Sequence, residues 1–233
     1  MLSSLCQQTR RDLLSIDVAY LRGNGQPSTE AVLNYFRQWI SLKDSAWDNY
    51  KDFQKRGLVR NRQLQETQTE WLIFSDCDMV YHPDYIECLC RELEKNHACA
   101  TYMISSGRCS NPKELANQLV DMHISSEPIL VMDAFGMASR LPSIPRRNVG
   151  AGFSQIINLR HAPHGNVYVT PETNKDWAWD IRMQKARSDI QFRRKIFKLG
   201  GARCRLPTWF SENLIHLNHN RDSDFGRHIE EQR

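Results

Sequence analysis

Two aspartates one residue apart, Asp76 and Asp78, close an apolar run in the segment EWLIFSDCDMVYHPDYIE, residues 70–87. Like charges at that spacing repel, and carboxylates are seldom left uncompensated where water is scarce. Side chains alternate along an extended chain, so the pair is expected to point roughly one way. Two hard oxygen ligands on one side make a partial site for Mg²⁺ or Mn²⁺, ions that complete their shell with phosphate oxygens and water. The chemistry this spacing suits is a metal bridge to a diphosphate. The structural alternative is a solvated acidic loop ahead of the helix start at Pro83.

The elements around the pair must hold it at a strand end. WLIFS, 71–75, is a short unbroken apolar run, the pattern of a strand buried on both faces. HPDYIECLCRELEKN then predicts a helix with Pro83 at its start and Ile86, Leu89, Cys90 and Leu93 on one face. Upstream, residues 2–13 predict a short helix, 13–21 a strand, GNGQPS a turn, Thr29 to Trp39 a helix capped by Thr29, and 44–68 a helix broken near Gly57. Downstream, CATYMIS at 99–105 and GAGFSQIINL at 150–159 predict strands. Residues 111–125 and 176–199 predict helices, 135–149 a proline-containing loop, and ARCRLPT and ENLIHL two late strands. Strands alternating with helices predict an α/β layered domain with a mostly parallel central sheet flanked by helices. Ligands of such sheets bind at the carboxyl ends of the strands, where Asp76 and Asp78 lie.

Bulk composition narrows the function class. The 233 residues are 40% hydrophobic and 25% charged, enough for one sizeable core or two small ones. No apolar run approaches the roughly 20 residues that span a bilayer, and MLSSLCQQTRRDLL lacks the charged-then-apolar order of a signal peptide. The net charge of +4 suits a small anionic ligand and is too diffuse to predict a nucleic-acid partner. Seven cysteines without a CxxC pair predict reduced, partly buried thiols, and with them a cytoplasmic protein, soluble or peripheral to a membrane.

The segment RNRQLQETQTEWLIFSDCDMVYHPDYIE, 60–87, resembles the inverting glycosyltransferases of the large family two, which have the Rossmann-like GT-A fold. Their order of RN, short helix, apolar strand, DxD and proline-containing helix start is repeated here. The resemblance implies transfer of a sugar from a nucleoside-diphosphate sugar, UDP-linked by preference, to a hydroxyl of a glycan, lipid or protein, with Mn²⁺ or Mg²⁺ and inversion. It implies that Asp76 contacts the ribose or metal, that Asp78 binds the metal, and that Arg60 faces the nucleotide sugar. VGAGFSQIINL, 149–159, is similar to the strand lining the sugar and acceptor pocket, where Gly150 and Gly152 would let a substrate approach the backbone. SDIQFRRKIFKLGGARCRLPTWFSENLIHLNHNR, 188–221, is similar to the family's acidic helix start, LP strand and late histidine. The resemblance makes Asp189 the catalytic base, with Asp176 and Asp180 of KDWAWD as alternatives. It makes His219 a metal ligand, with His216 in reserve.

Residues 1–221 resemble the family domain and 222–233 a tail, with two departures. Members open on a strand of the type VSIVIPTYN followed by a helix patterned LxSLxxQT, whereas MLSSLCQQT starts inside that helix. The acidic stretch after the second strand is replaced by YLRGNGQPS, leaving Asp17, within its strand, as a candidate contact to the nucleotide base. Two other readings compete. One is a non-catalytic domain of the same fold that binds nucleotide or sugar. The other is a haloacid-dehalogenase-like phosphatase with Asp76 as nucleophile.

Overall fold

The computed structural model describes residues 1–23, 27–53, 56–95, 97–103, 108–109, 154–161 and 202–216. The chain opens on helix α1, Leu2–Cys6, and a 3-10 turn, Arg11–Leu13. Strand β1, Ile16–Leu21, leads through helix α2, Pro27–Phe36, to strand β2, Leu42–Trp47. Helices α3, Tyr50–Phe53, and α4, Arg56–Glu66, precede strands β3, Trp71–Ser75, and β4, Met79–Tyr81. Helix α5, Tyr85–Glu94, follows, then strands β5, Cys99–Met103, β6, Arg108–Cys109, β7, Ser154–Asn158, and β8, Ala202–Arg205. Helix α6, Thr208–Glu212, and strand β9, Leu214–His216, complete the described chain.

Three sheets result, in the orders β1-β2, β3-β7-β5-β8 and β4-β9-β6. The pairs β1–β2 and β5–β8 are parallel, as the alternation of strands and helices requires. Strand β7 runs antiparallel to both of its neighbours, β3 and β5. Among the described residues β1 and β3 share no ladder.

Every residue of β7 is buried. Ile156 joins the cluster of Met79, Tyr85, Leu89, Leu93 and Leu214, whereas Ile157 joins Leu64, Phe74 and Ala100. Neighbouring side chains of a strand point to opposite faces, so the four-stranded sheet carries an apolar layer on each side. Helix α5 covers one face with Tyr85, Ile86, Leu89 and Leu93, and α4 brings Leu64 to the other. The stripe expected from HPDYIECLCREL is therefore the buried stripe, with Cys90 only half-buried at its edge.

Several elements differ from the sequence reading: α2 begins at Pro27, inside the expected turn and ahead of the expected Thr29 cap, and β4 and α6 were not expected. Residues 44–47 belong to a strand, not a helix. The polar side chains of β2 concealed it because each has its partner outside the strand: Ser45 donates to Asp17 of β1 at 3.1 Å, Asp44 pairs with Arg37 just after α2, and Lys43 pairs with Glu66 of α4 at 2.7 Å. Helix α1 stops at Cys6 instead of running to residue 13, because Gln8 and Thr9 are taken by bonds to the segment after β4.

The cysteines also differ in part. Cys99 of β5 and Cys204 of β8 form a disulfide across the parallel pair, so the reduced-thiol expectation fails for these two. Strand pairing brings together residues 105 positions apart, a proximity no local spacing reveals. Cys6, Cys77, Cys88 and Cys90 are free thiols. No described helix is long and apolar enough to cross a membrane.

Candidate functional site

Strand β3 ends at Ser75 and β4 begins at Met79, so Asp76, Cys77 and Asp78 form the turn between them. The chain turns here instead of running extended, so the alternation expected to place both carboxylates on one side does not operate across it. Cys77 lies at the surface while Asp76 and Asp78 are each half-buried. Partial desolvation first, then the charges of Asp78 and Asp76, push the Cys77 thiol pKa up.

A hydroxyl pair closes the base of the turn. Ser75 Oγ and Tyr81 Oη are 2.5 Å apart, and Ser75 Oγ also donates to the Asp76 carbonyl at 3.0 Å. Tyr81 is 3% exposed, and burial pushes its pKa up to about 12, opposed by the Ser75 bond and assisted by the two nearby carboxylates. Its backbone N–H donates to Ser4 Oγ of α1 at 3.2 Å. The turn therefore rests on a hydrogen-bonded floor contributed by β3, β4 and α1.

Gln8 and Thr9 set the direction in which the chain leaves that floor. Gln8 is 4% exposed. Its Nε2 donates to the carbonyls of Ser4 and His82, both at 2.8 Å, and its Oε1 accepts the Ile86 N–H at 3.0 Å. Ile86 is in the first turn of α5, where backbone N–H groups lack intrahelical partners. Asp84, at the N-cap position, makes no side-chain cap. Gln8 thus supplies from another element the cap that α5 does not supply for itself. Thr9 donates through its backbone to the Pro83 carbonyl at 3.0 Å and through Oγ1 to Glu87 at 3.0 Å. The CQQT stretch was legible as part of a family pattern, but its role was not, because its partners outside α1 lie more than seventy residues away.

Arg60 of α4 reaches the same turn. Its guanidinium stands 3.6 Å from Asp76 Oδ1 and 5.6 Å from the centre of the Phe74 ring. Its side chain is 12% exposed against 36% for Asp76. Phe74 and Asp76 are two residues apart on β3 and its extension, so the cation lies along one face of the strand end. Asn61, the next residue of the RN pair, is 2% exposed.

Among the other residues singled out by sequence, the backbone of His216 pairs with that of Met79, directly after Asp78. Asp17 is the second residue of β1, about 13 Å of strand from its carboxyl end. Its carboxylate takes the Ser45 hydroxyl and its carbonyl the Gln63 amide at 3.4 Å, which ties β1 to β2 and α4. Asp189, Asp176, Asp180, Gly150, Gly152 and His219, with the loop 135–149, lie outside the described residues.

Among the described residues no three His, Cys, Asp or Glu side chains converge on one point. The turn supplies two carboxylates, a donor set that fits Mg²⁺ or Mn²⁺, since such ions take one or two carboxylates plus phosphate oxygens and water. It would not fit an ion that needs a closed protein cage.

Residues 2–133, more than half of the chain, match glycosyl transferase family 2. The chain belongs to that family. The match contains α1, the Arg60 helix, the carboxylate turn and α5. It removes the phosphatase reading of Asp76.

Solved structures agree on the fold of this family-2 chain. TarS of S. aureus, residues 1–349 in complex with UDP, has a TM-score of 0.52 at 13% identity over 90% of this chain and 56% of that one. TarS 1–349 in a second structure gives 0.57 at 14% identity, over 93% and 55%. A further TarS structure gives 0.57 at 14%, over 94% of this chain and 34% of that one. At these identities the likeness is one of fold, the GT-A fold, and the chain spans about half or less of the TarS structures it matches. No curated protein sequence matches the chain.

Proposed function

We propose that this chain is the donor-binding and catalytic domain of a metal-dependent glycosyltransferase. It would move a sugar from a nucleoside-diphosphate sugar to an acceptor hydroxyl with inversion. The observation that carries the reading is the pairing of Arg60 with the carboxylate turn at the end of β3, in a chain of family 2. A UDP-linked donor is favoured, because TarS, which shares the fold, was solved with UDP.

In this reading Asp78 and Asp76 hold Mn²⁺ or Mg²⁺, which when bound supplies charge stabilisation for the departing diphosphate. His219, or His216 beside Met79, adds a nitrogen ligand. Arg60 faces the donor, and Gly150 and Gly152 border its sugar. Asp189 removes the proton of the acceptor hydroxyl, with Asp176 and Asp180 as the alternatives for that role. The domain occupies 1–221 and a tail 222–233, and the acceptor is a glycan, lipid or protein. A cytoplasmic location, soluble or peripheral to a membrane, belongs to the same reading. The Cys99–Cys204 bond weighs against the thiol argument for it.

Calorimetric titration of UDP and of GDP, each with and without Mn²⁺, tests the donor site on wild type and Asp78→Ala. Binding that requires Mn²⁺ and disappears in the variant is expected. Metal-independent binding, or equal binding by the variant, would overturn the metal-bridge reading. Nucleotide binding of the expected kind without turnover of any donor would select the non-catalytic alternative.

A further inference from the structure

The side chains of the parallel pair β1–β2 divide between two faces. Ile16 and Leu42 pack with Phe36 and Ile40 on the α2 side. Asp17, Lys43, Ser45 and Trp47 share the other face, because side chains alternate along each strand and residues in parallel register point the same way. That face looks at α4: Lys43 pairs with Glu66, and the Arg62 guanidinium stands 5.1 Å from the centre of the Trp47 ring. Two polar atoms on it are buried without a hydrogen-bond partner, Asp17 Oδ1 and the indole N–H of Trp47. A buried donor left unpaired is costly, and native structures leave few of them. Asp17 lies near the amino end of β1, whereas Trp47 is the last residue of β2, at the carboxyl end where α/β sheets take their ligands. Arg62 is half-exposed, so the side chain lying over the ring is one that a ligand can move.

Helix α4 ties this strand end to the carboxylate turn. Arg60, at the turn after β3, and Arg62, over Trp47, are about 3 Å apart along the helix axis and on opposite sides of it. The end of β2 and the turn after β3 thus flank one stretch of α4, separated by one helix diameter, roughly 10 Å. A diphosphate held at the turn would carry its nucleoside across that distance. An N–H at the far end needs an acceptor on the base. Uracil offers its C4 carbonyl there, whereas cytosine turns an amino group, a donor, to the same place.

We propose that Trp47 determines which base the donor carries, by donating its indole N–H to the C4 carbonyl of a uracil. The proposal rests on the donor-site reading above and deepens it from a nucleotide to a base. It assigns the base contact to the end of β2 rather than to Asp17, the candidate from the sequence.

Calorimetric titration of UDP and of CDP, each with Mg²⁺, tests it on wild type, Trp47→Phe and Asp78→Ala. Phenylalanine keeps a ring beneath Arg62 and lacks the N–H. UDP affinity is expected to fall about five- to ten-fold in Trp47→Phe, and CDP affinity to stay as it is. Nitrogen-15 spectra read the bond itself. Of the six tryptophan indole signals, the one absent from Trp47→Phe should move downfield with UDP in wild type and not with CDP. Trp47→Tyr identifies that signal if Trp47→Phe does not fold. Equal losses for UDP and CDP, or an indole signal indifferent to UDP, would overturn the role of Trp47. UDP binding that needs Asp78 but ignores Trp47→Phe would overturn it too and leave the donor site standing. UDP binding that ignores Asp78 would overturn the metal-bridged donor site, and this proposal with it.

Discussion

Replacing Gln8 by Leu should loosen the carboxylate turn from behind. The side chain is buried and makes three bonds, to the Ser4 and His82 carbonyls and from the Ile86 N–H. Leucine fills similar volume and makes none of them. The Ile86 N–H then sits buried without an acceptor, at a cost of about 1–3 kcal/mol. The His82 carbonyl keeps a donor, the Tyr85 N–H at 2.9 Å, so it loses one of two bonds rather than all. Loss of the two amide bonds adds about 1 kcal/mol. The expected loss is about 2–4 kcal/mol, which in a protein of this size lowers Tm by about 5–15 °C. A urea melt gives the free energy, and native-state hydrogen exchange gives the location: the Ile86 amide should lose protection before those at the centre of α5. A loss below about 1 kcal/mol, or unchanged exchange at Ile86, would refute the claim that Gln8 caps α5.

Three further outcomes follow from the same structure. Tyr81 keeps its proton to about pH 12 when folded, against 10 for an ordinary tyrosine, so between those values the unfolded chain binds fewer protons and stability falls as pH rises. Tyr81→Phe should be less stable at neutral pH by about 1 kcal/mol through loss of the Ser75 bond, yet flatten the alkaline limb by up to about 1.4 kcal/mol per pH unit; an unchanged limb would contradict the buried phenol. Reducing the Cys99–Cys204 bond, which closes a loop of 105 residues, should cost about 4–5 kcal/mol and show as a lower Tm in a dithiol reductant, with two fewer titratable thiols before reduction than after. Cys77 should react with N-ethylmaleimide more slowly than a free thiol at pH 8 because desolvation and its flanking carboxylates raise its pKa; Asp78→Asn should speed the reaction, and an unchanged rate would place the cause in burial alone.

What the sequence decided by itself was what local pattern can decide. The unbroken run WLIFS became β3, half-buried except at Phe74, with Trp71 and Ile73 against one core layer and Leu72 and Phe74 in the other, and the spacing of Ile86, Leu89 and Leu93 became the buried stripe of α5, where Tyr85 takes the place expected of Cys90. The DCD spacing put both carboxylates at a strand end because the apolar run stops at Ser75 and the chain turns there before β4 and α5. Tertiary structure decided what depends on partners distant in the chain. It turned LKDSAW into a strand by giving Lys43, Asp44 and Ser45 partners outside the strand, and it ended α1 early by using Gln8 and Thr9 as a clamp on α5. It joined Cys99 to Cys204 through the β5–β8 pair, where composition had predicted free thiols. Arg60 and Asp76 show the division most plainly. Their motifs were legible one by one, but the ion pair between them exists only because α4 packs over the end of β3, and packing depends on the whole set of buried faces rather than on any one stretch of chain.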